Sequence, residues 1–287
     1  MIDIYIVGLG VLNIDQITRE TERALRRSNE VLYVDTGVAT QAYLEGLCPR
    51  ITSLFQTSYT ESGERLNAYH HMAARVLDAA LDHPPVTFAM HGHPIVGAYA
   101  PFLIRDLAGL LALRVRVLPG VSAMDCLFAE LMVDPCVAGM QMYEATDLLL
   151  RRRSLQPDVP ALIWQIGNLE TTLHTMRVSK PERLERLRSH LLRFYPPRHV
   201  VTAFYSTPHP LMPSTVHRFA ADDLCDYAHL LHPGFTLFIP AASERPIEDF
   251  ELLRQIDSVE HLRRITHESA GRQSPADTDS PRPEGRV

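Results

Sequence analysis

The sequence is poor in the features that mark several common classes of protein. Its 287 residues include four cysteines, Cys48, Cys126, Cys136 and Cys225, and their spacing matches no metal-binding pattern. Because they lie in or near apolar runs, we expect reduced thiols and a cytoplasmic location. No apolar run reaches the roughly 18 residues that a membrane span requires, and the chain opens with a strand pattern instead of a signal peptide. We therefore expect no membrane partner.

The chain also lacks an excess of positive charge. Lys and Arg number 28 against 34 Asp and Glu, which gives a net charge of −6. The one basic triplet, Arg151 to Arg153, is typical of a solvated surface, so a nucleic-acid partner is not expected. Hydrophobic residues make up 46% of the sequence, which is enough to build one large domain or two small ones.

What the sequence does contain is a repeated pattern of short apolar runs that end in small residues. The pattern occurs at Ile2 to Gly10, at Val86 to Pro94 and at Val115 to Ala123. Runs of this length bounded by Gly and Pro favour buried parallel strands, and open α/β sheets bind ligands beyond the carboxyl ends of such strands. Three such ends predict one ligand-binding cleft.

Two more specific ligands are disfavoured at these strand ends. Gly8-Leu9-Gly10 continues as Val11-Leu12-Asn13, so the third glycine of a dinucleotide fingerprint is missing and a nicotinamide or flavin site is not expected. His91 and His93 occupy alternate positions, which point to opposite faces, and no Cys, Asp or Glu clusters beside them in the sequence. We therefore predict no metal site.

The order of elements predicts two domains. Strands alternate with helices through residue 131, which favours an N-terminal α/β domain built on a parallel sheet at 1–131. The pattern loosens over 132–160, where prolines mark turns, and we expect a linker there. Residues 161–265 show strands with antiparallel-type alternation, so the sequence predicts a C-terminal mixed α/β domain. The stretch 266–287 is too poor in large apolar residues to order and is expected to be a disordered tail.

Four separated motifs match one known family in order and spacing: Gly8-Leu-Gly10, Gly92-His-Pro94, Leu118-Pro-Gly-Val-Ser-Ala123 and Trp164-Gln-Ile-Gly167. On these motifs the chain resembles the tetrapyrrole methylases, which are two-domain (class III) methyltransferases that use S-adenosylmethionine. The stretches Arg65-Leu-Asn-Ala-Tyr69 and Tyr143-Glu-Ala-Thr-Asp147 further resemble the borosin peptide-backbone α-N-methyltransferases. The resemblance covers roughly residues 2–256 and implies an N-terminal parallel-type sheet followed by a mixed sheet.

The chain departs from both groups at identifiable positions. Porphyrin-type members carry Gly-Pro-Gly-Asp after the first strand and Gly-Asp-Pro in the central loop, where this chain has Gly10-Val-Leu-Asn13 and Gly92-His-Pro94. That difference disfavours a tetrapyrrole substrate. Borosin enzymes commonly have a tyrosine before Gly-His-Pro, and this chain has His91. Fungal members carry their substrate as an apolar C-terminal extension, whereas residues 268–287 of this sequence are polar.

The resemblance therefore implies N-methylation of backbone amides in a separately encoded precursor peptide, as in split borosin maturation. It implies S-adenosylmethionine as cofactor, S-adenosylhomocysteine as product and no metal. It also implies a homodimer, or a heterotetramer with two precursor chains. Two other functions stay open at this point: a tetrapyrrole-type or other small-molecule methyltransferase, and a non-catalytic module that binds S-adenosylmethionine.

A peptide nitrogen is a poor nucleophile because its lone pair is delocalised into the carbonyl. The enzyme must draw charge onto the carbonyl oxygen, remove the N–H proton and align the nitrogen with the methyl group. Arg65 and Tyr69 lie one turn apart in a predicted helix, and Tyr59 precedes it. The resemblance implies that these three are catalytic. We expect the guanidinium to lower the pKa of a neighbouring tyrosine and so make it a base, although Arg and Tyr at this spacing also form ordinary surface pairs.

The resemblance also implies a cofactor site made of strand-end residues. Its members are expected to be Gly8, Gly10, His91, His93, Pro94, Val96, Ser122, Ala123, Gln165 and Thr236. Each has a structural alternative as an ordinary turn or strand-end residue. Ser122, for example, could simply cap the helix that follows it.

Overall fold

The described part of the chain contains two five-stranded sheets. The structure is a computed structural model, and it describes residues 2–35, 37–209 and 211–267. In the first sheet all neighbouring strands are parallel, in the order β3-β2-β4-β1-β5. Its strands are β1 (Ile4–Gly8), β2 (Glu30–Val34), β3 (Ile51–Ser53), β4 (Val86–Met90) and β5 (Val115–Leu118). The carboxyl ends of these strands therefore lie at one edge, as the sequence predicts.

Six helices cover or connect these strands: α1 (Arg19–Arg27), α2 (Val38–Glu45), α3 (Phe55–Ser58), α4 (Arg65–Asp82), α5 (Ala100–Leu110) and α6 (Ala123–Leu131). The longest, α4, buries Ala68, Met72 and Val76 at helical spacing against the sheet core. A 3-10 turn that ends at Gln16 precedes α1. Thr18 then caps α1, and its hydroxyl accepts a hydrogen bond from the Thr21 amide at 3.1 Å.

The second sheet mixes parallel and antiparallel pairs. Its strands are β6 (Gln141–Glu144), β7 (Ala161–Trp164), β8 (Val200–Tyr205), β9 (Thr215–Ala220) and β10 (Thr236–Ile239). Their order is β6-β7-β10-β8-β9, and only the β6–β7 pair among them is parallel. Helix α7 (Ala145–Leu150) follows β6, and α8 (Pro181–Leu191) packs on the sheet core.

The stretch 132–160, for which the sequence predicts a linker, thus contains β6 and α7. The second sheet begins earlier in the chain than residue 161. The sequence does not predict β6 because β6 is an edge strand of four residues, none of which is fully buried. Such a strand has no clear apolar alternation for sequence analysis to detect.

Both sheets belong to one compact unit, residues 1–243, and residues 244–287 form a second. That residues 1–131 and residues 161–265 form separate domains stays a prediction. The second unit contains helices α9 (Phe250–Gln255) and α10 (Val259–Ile265), capped by the side chains of Asp249 and Ser258. The expected disordered tail lies outside the described residues from position 268 onward. No helix among the described residues is both long and apolar enough to cross a membrane.

Candidate active site

Three glycines bring the strand-end loops of the first sheet together. A Cβ built on Gly120 would lie 2.8 Å from both the Gly8 Cα and the Gly92 carbonyl oxygen, and a Cβ on Gly8 would collide with that same oxygen. Gly10, which has a φ of +76°, donates its N–H to the Gly92 carbonyl at 3.3 Å. The glycines therefore allow the three loops to pack backbone against backbone.

A cavity of about 270 Å³ opens beside these loops. Seven of the predicted cofactor residues line it: His91, His93, Val96, Ser122, Ala123, Gln165 and Thr236. The other three, Gly8, Gly10 and Pro94, are not among the described residues that line this cavity. Gly8 and Gly10 instead hold the loops together, and Pro94 is buried beside Gly8.

The lining of this smaller cavity combines open space at a glycine with apolar surface and hydroxyl groups. Gly97 has a φ of +65°, and an added Cβ there would meet no protein atom closer than Gln165 Nε2 at 3.8 Å, so it would enter the open space. Trp164 and Phe235 supply apolar surface, and the hydroxyls of Ser206 and Thr236 supply hydrogen-bonding groups. Sequence analysis predicted the neighbouring Gln165 and Thr236 from the second sheet but missed Trp164, Ser206 and Phe235.

Ser122 has the structural role that the sequence left open. The Ser122 amide donates to Asp125 Oδ2 at 2.6 Å and the Asp125 amide donates to the Ser122 hydroxyl at 3.3 Å, which is a capping box at the start of α6, and the hydroxyl itself donates to Asp125 Oδ2 at 2.7 Å. Its side chain is therefore already committed to the helix. Ser122 also lines the smaller cavity.

A larger cavity of about 580 Å³ adjoins the first. Tyr59, Arg65 and Tyr69, the three residues expected to be catalytic, all line it. His91 and Gln165 line both cavities. The structure therefore brings the predicted catalytic and cofactor residues into one continuous cleft, with His91 and Gln165 at the junction.

The guanidinium of Arg65 is held by the second half of the chain. It donates to the Thr171 carbonyl at 2.7 Å, to the Thr172 carbonyl at 3.3 Å and to Gln165 Oε1 at 3.2 Å. Gln165 has a φ of 59°, a left-handed conformation that costs a residue with a side chain on the order of 1 kcal/mol or more. That strained backbone directly follows β7 and places the amide between Arg65 and the smaller cavity.

The tyrosines form an aromatic wall in the larger cavity. The Tyr59 ring stacks on His174 with centroids 4.5 Å apart and meets the Tyr69 ring edge-on at 6.4 Å. Burial raises the pKa of Tyr59 above its ordinary value, and the interaction with Tyr69 raises it further. The charge of Arg65 opposes this rise but is a smaller effect. The guanidinium thus acts in the expected direction, but burial outweighs it, so Tyr59 is not the base that the sequence predicts and its hydroxyl remains a neutral donor.

Asp35 is a site residue that sequence analysis missed. It follows β2 directly and lines the larger cavity, and its Oδ2 lies 3.3 Å from Nδ1 of His91. Burial opposes ionisation, but hydrogen bonds from His91 and the Gly37 amide outweigh it and lower the pKa of Asp35. The strand-end pattern applied to β2 would have found this residue. His174 had no such signal, because it reaches the cavity through pairing of its loop with residues 62–63.

Residues 3–209 match the family model described as Tetrapyrrole (Corrin/Porphyrin) Methylases. This chain belongs to that family, and within it the borosin-type resemblance is confirmed by curated relatives. One is the methyltransferase/ribosomally synthesized cyclic peptide gymnopeptides precursor gymMA1 of Gymnopus fusipes, 34% identical over 56% of this chain and 38% of that protein. Another is the type I borosin cyclic peptide precursor gjuMa of Gymnopilus junonius, 29% identical over 85% of this chain and 58% of that protein.

The chain thus spans 38% and 58% of the length of these two relatives. Among solved structures, the fold is similar to that of uroporphyrin-III C-methyltransferase from Thermus thermophilus complexed with S-adenyl homocysteine. The TM-score is 0.57 at 16% identity, over 82% of this chain and 91% of that one. This likeness confirms the predicted fold class of two linked sheets.

Proposed function

We propose that this chain is an S-adenosylmethionine-dependent methyltransferase that N-methylates backbone amides of a separately encoded precursor peptide. The observation that carries the proposal is the continuous cleft. Its smaller cavity meets the larger one at His91 and Gln165, and Tyr59, Arg65 and Tyr69 line the larger cavity. The relatives named as borosin methyltransferase and precursor support the peptide substrate. The test is mass spectrometry of a synthetic Val/Ile/Leu-rich peptide incubated with the protein and cofactor, with fragmentation to place each methyl group on the backbone.

The cofactor would occupy the smaller cavity. When bound, S-adenosylmethionine supplies a methyl group already activated by its sulfonium. His93, Ala123 and Thr236 would hold it, together with the apolar surface of Trp164 and Phe235. The strand-end loops consist of small residues, with no cluster of metal-ligating side chains among the described residues, so we expect binding to be independent of metal. Calorimetry in the presence of a chelator checks this, and failure to bind under those conditions would contradict the cofactor assignment.

The acceptor amide would lie in the larger cavity. Arg65 and the neutral hydroxyl of Tyr59 are positioned as donors to the carbonyl oxygen, which gains charge as the nitrogen lone pair is freed from resonance. Tyr69 lies in edge-on contact with Tyr59 and borders Tyr99 at a ring distance of 6.0 Å. These aromatic rings give the cavity a wall on which an apolar peptide side chain can pack.

A separate precursor is the finer part of the proposal, since the relatives are named as methyltransferase and precursor in one protein. Within the given sequence, Ser274 to Pro281 make a poor substrate, because prolines have no N–H to methylate and acidic residues replace apolar ones. We expect protein expressed alone to carry no methyl groups in 268–287. Methylated residues found there by mass spectrometry would contradict the separate precursor.

We also propose that the protein acts as a homodimer, or as a heterotetramer with two precursor chains. Exposed apolar side chains on α5 support this, notably Leu110, which is 83% exposed, and Phe102 and Leu107 near it. Contiguous exposed apolar patches are typical of protein interfaces. Analytical ultracentrifugation should give twice the 32.4 kDa of one chain, and a single-chain mass at all concentrations would contradict the dimer.

A further inference from the structure

His91 stands where the two cavities meet, and the sheet itself gives it a carboxylate neighbour. In the parallel pairing of β2 with β4, Val34 lies opposite Met90. The next residues of the two strands, Asp35 and His91, therefore emerge side by side, and the His91 amide donates to the Val34 carbonyl at 3.3 Å. Asp35 Oδ2 lies 3.3 Å from His91 Nδ1.

The Asp35 carboxylate is fixed before it meets the imidazole. Its Oδ1 accepts the Gly37 amide at 2.6 Å, which leaves Oδ2 directed at the ring. The Asp35 side chain is only 10% exposed, whereas that of His91 is 50% exposed. Burial opposes its ionisation, yet these hydrogen bonds keep the pKa of Asp35 below its ordinary value. An ionised carboxylate beside Nδ1 favours a proton on that nitrogen and leaves Nε2 as the acceptor.

The other charged and titratable groups facing His91 across the larger cavity are less suited to accept a proton. The pKa of Tyr59 is raised by burial, so its hydroxyl stays protonated. Arg65 has no acceptor atom. Tyr69 carries a hydroxyl in edge-on contact with Tyr59, His174 stacks on the Tyr59 ring, and His232 packs edge-on against Tyr205. Of the described groups on this wall, His91 combines a carboxylate partner with access to both cavities.

We propose that His91, oriented by Asp35, accepts the proton that the acceptor amide loses during methylation. This inference rests on the proposed function. The amide nitrogen bonds to the methyl carbon, the electron pair of the broken carbon–sulfur bond stays on sulfur, and the N–H proton passes to His91 Nε2. The half-exposed imidazole then releases that proton to water, so no further reactant is needed. Asp35 is a positioning residue, because it acts through His91.

The test uses the full chain with S-adenosylmethionine and a synthetic Val/Ile/Leu-rich peptide. Single-turnover rates are measured from pH 5 to pH 9 for wild type, His91→Gln, Asp35→Asn and a matched control, His70→Gln, whose histidine lies exposed on α4. The wild-type rate should rise with pH across this range, because a proton acceptor acts only in its unprotonated form. His91→Gln should lose that rise and about a hundred- to ten-thousand-fold in rate, while His70→Gln should match wild type.

A second readout does not depend on turnover. Nitrogen NMR of the imidazole should show the Nδ1–H tautomer of His91 in wild type. In Asp35→Asn the amide presents a donor to Nδ1, so the proton should move to Nε2 and the rate should fall without loss of cofactor affinity. The same tautomer in both proteins would refute the role of Asp35.

The outcomes separate the inference from the proposed function. A wild-type protein that binds cofactor but methylates no peptide would overturn the proposed function. A wild-type protein that methylates the peptide while His91→Gln keeps its rate and pH profile would overturn only the inference. Loss of cofactor affinity in His91→Gln, in proportion to the loss of rate, would show that His91 is a cofactor contact instead.

Discussion

Replacing Arg65 by Lys tests whether the cleft needs the shape of a guanidinium or only its charge. The guanidinium reaches three oxygens at once, those of Thr171, Thr172 and Gln165, at 2.7, 3.3 and 3.2 Å. A lysine ammonium is one compact group on a flexible stem and cannot span these partners. We expect Arg65→Lys to keep one of the three hydrogen bonds and to lose the other two.

Loss of these two hydrogen bonds should lower the free energy of unfolding, and loss of the guanidinium geometry should lower the methylation rate by a larger amount. A hydrogen bond to a charged group contributes about 1.5–3 kcal/mol when buried, and water will replace part of this at a half-buried site. We therefore expect the free energy of unfolding to fall by about 1–3 kcal/mol, or about 2–4 °C in Tm for each kcal/mol in a chain of this size. Loss of a preorganised donor to the carbonyl oxygen costs more, about 2.7–4 kcal/mol or a hundred- to thousand-fold in rate.

The assay combines scanning calorimetry, cofactor affinity and single-turnover methylation. Arg75→Lys is the matched control, because Arg75 lies exposed on the same helix, and it should change none of the three measurements. Cofactor affinity of Arg65→Lys should stay close to wild type. A near-normal rate in Arg65→Lys would refute the geometric role, and a rate loss matched by an equal loss of cofactor affinity would place Arg65 in the cofactor site.

Three further predictions follow from the same geometry. Tyr69→Phe should remove most turnover in the single-turnover assay while cofactor affinity stays nearly normal, because the Tyr69 hydroxyl interacts with the Tyr59 hydroxyl that is positioned to donate to the carbonyl oxygen. Gly120→Ala should lower stability by about 1–3 kcal/mol in calorimetry, because its Cβ would lie 2.8 Å from backbone atoms of two other loops, whereas Gly109→Ala, with open space around it, should not destabilise. Because the folded-state pKa of Asp35 lies below its ordinary value, its contribution to stability is present above that ordinary value and disappears as pH falls through the folded-state pKa. Asp35→Asn should therefore reduce the loss of stability between neutral pH and pH 2, and an unchanged acid profile would contradict this.

The sequence could predict the parts of the cleft that follow local rules. Apolar runs ending in small residues located β1, β4 and β5, and their parallel pairing brought the ends to one edge. Helical spacing correctly placed Arg65 and Tyr69 on one face, and both line the larger cavity. Each of these predictions depends on periodicity or on a single strand end, which the chain encodes within a few residues.

What the sequence could not predict depends on contacts between distant residues. The partners of Arg65 lie a hundred or more residues away along the chain. The pKa of Tyr59 depends on how deeply the folded chain buries its hydroxyl, and an argument from the nearby guanidinium alone gave the wrong sign. The left-handed backbone of Gln165 likewise carries no signal in the residue type, since glycine or asparagine is usual there.

The hydrogen bonds of Arg65 connect the proposed acceptor site in the larger cavity to the proposed cofactor site in the smaller one. A guanidinium has five N–H donors, and the three hydrogen bonds to Thr171, Thr172 and Gln165 use three of them. Two donors remain for the acceptor carbonyl. The contacts that hold the second half of the chain against α4 therefore also orient those donors toward the larger cavity. Because Gln165 lines the cofactor cavity as well, a shift of the loop at 171–172 would misplace the donor and one cofactor wall together.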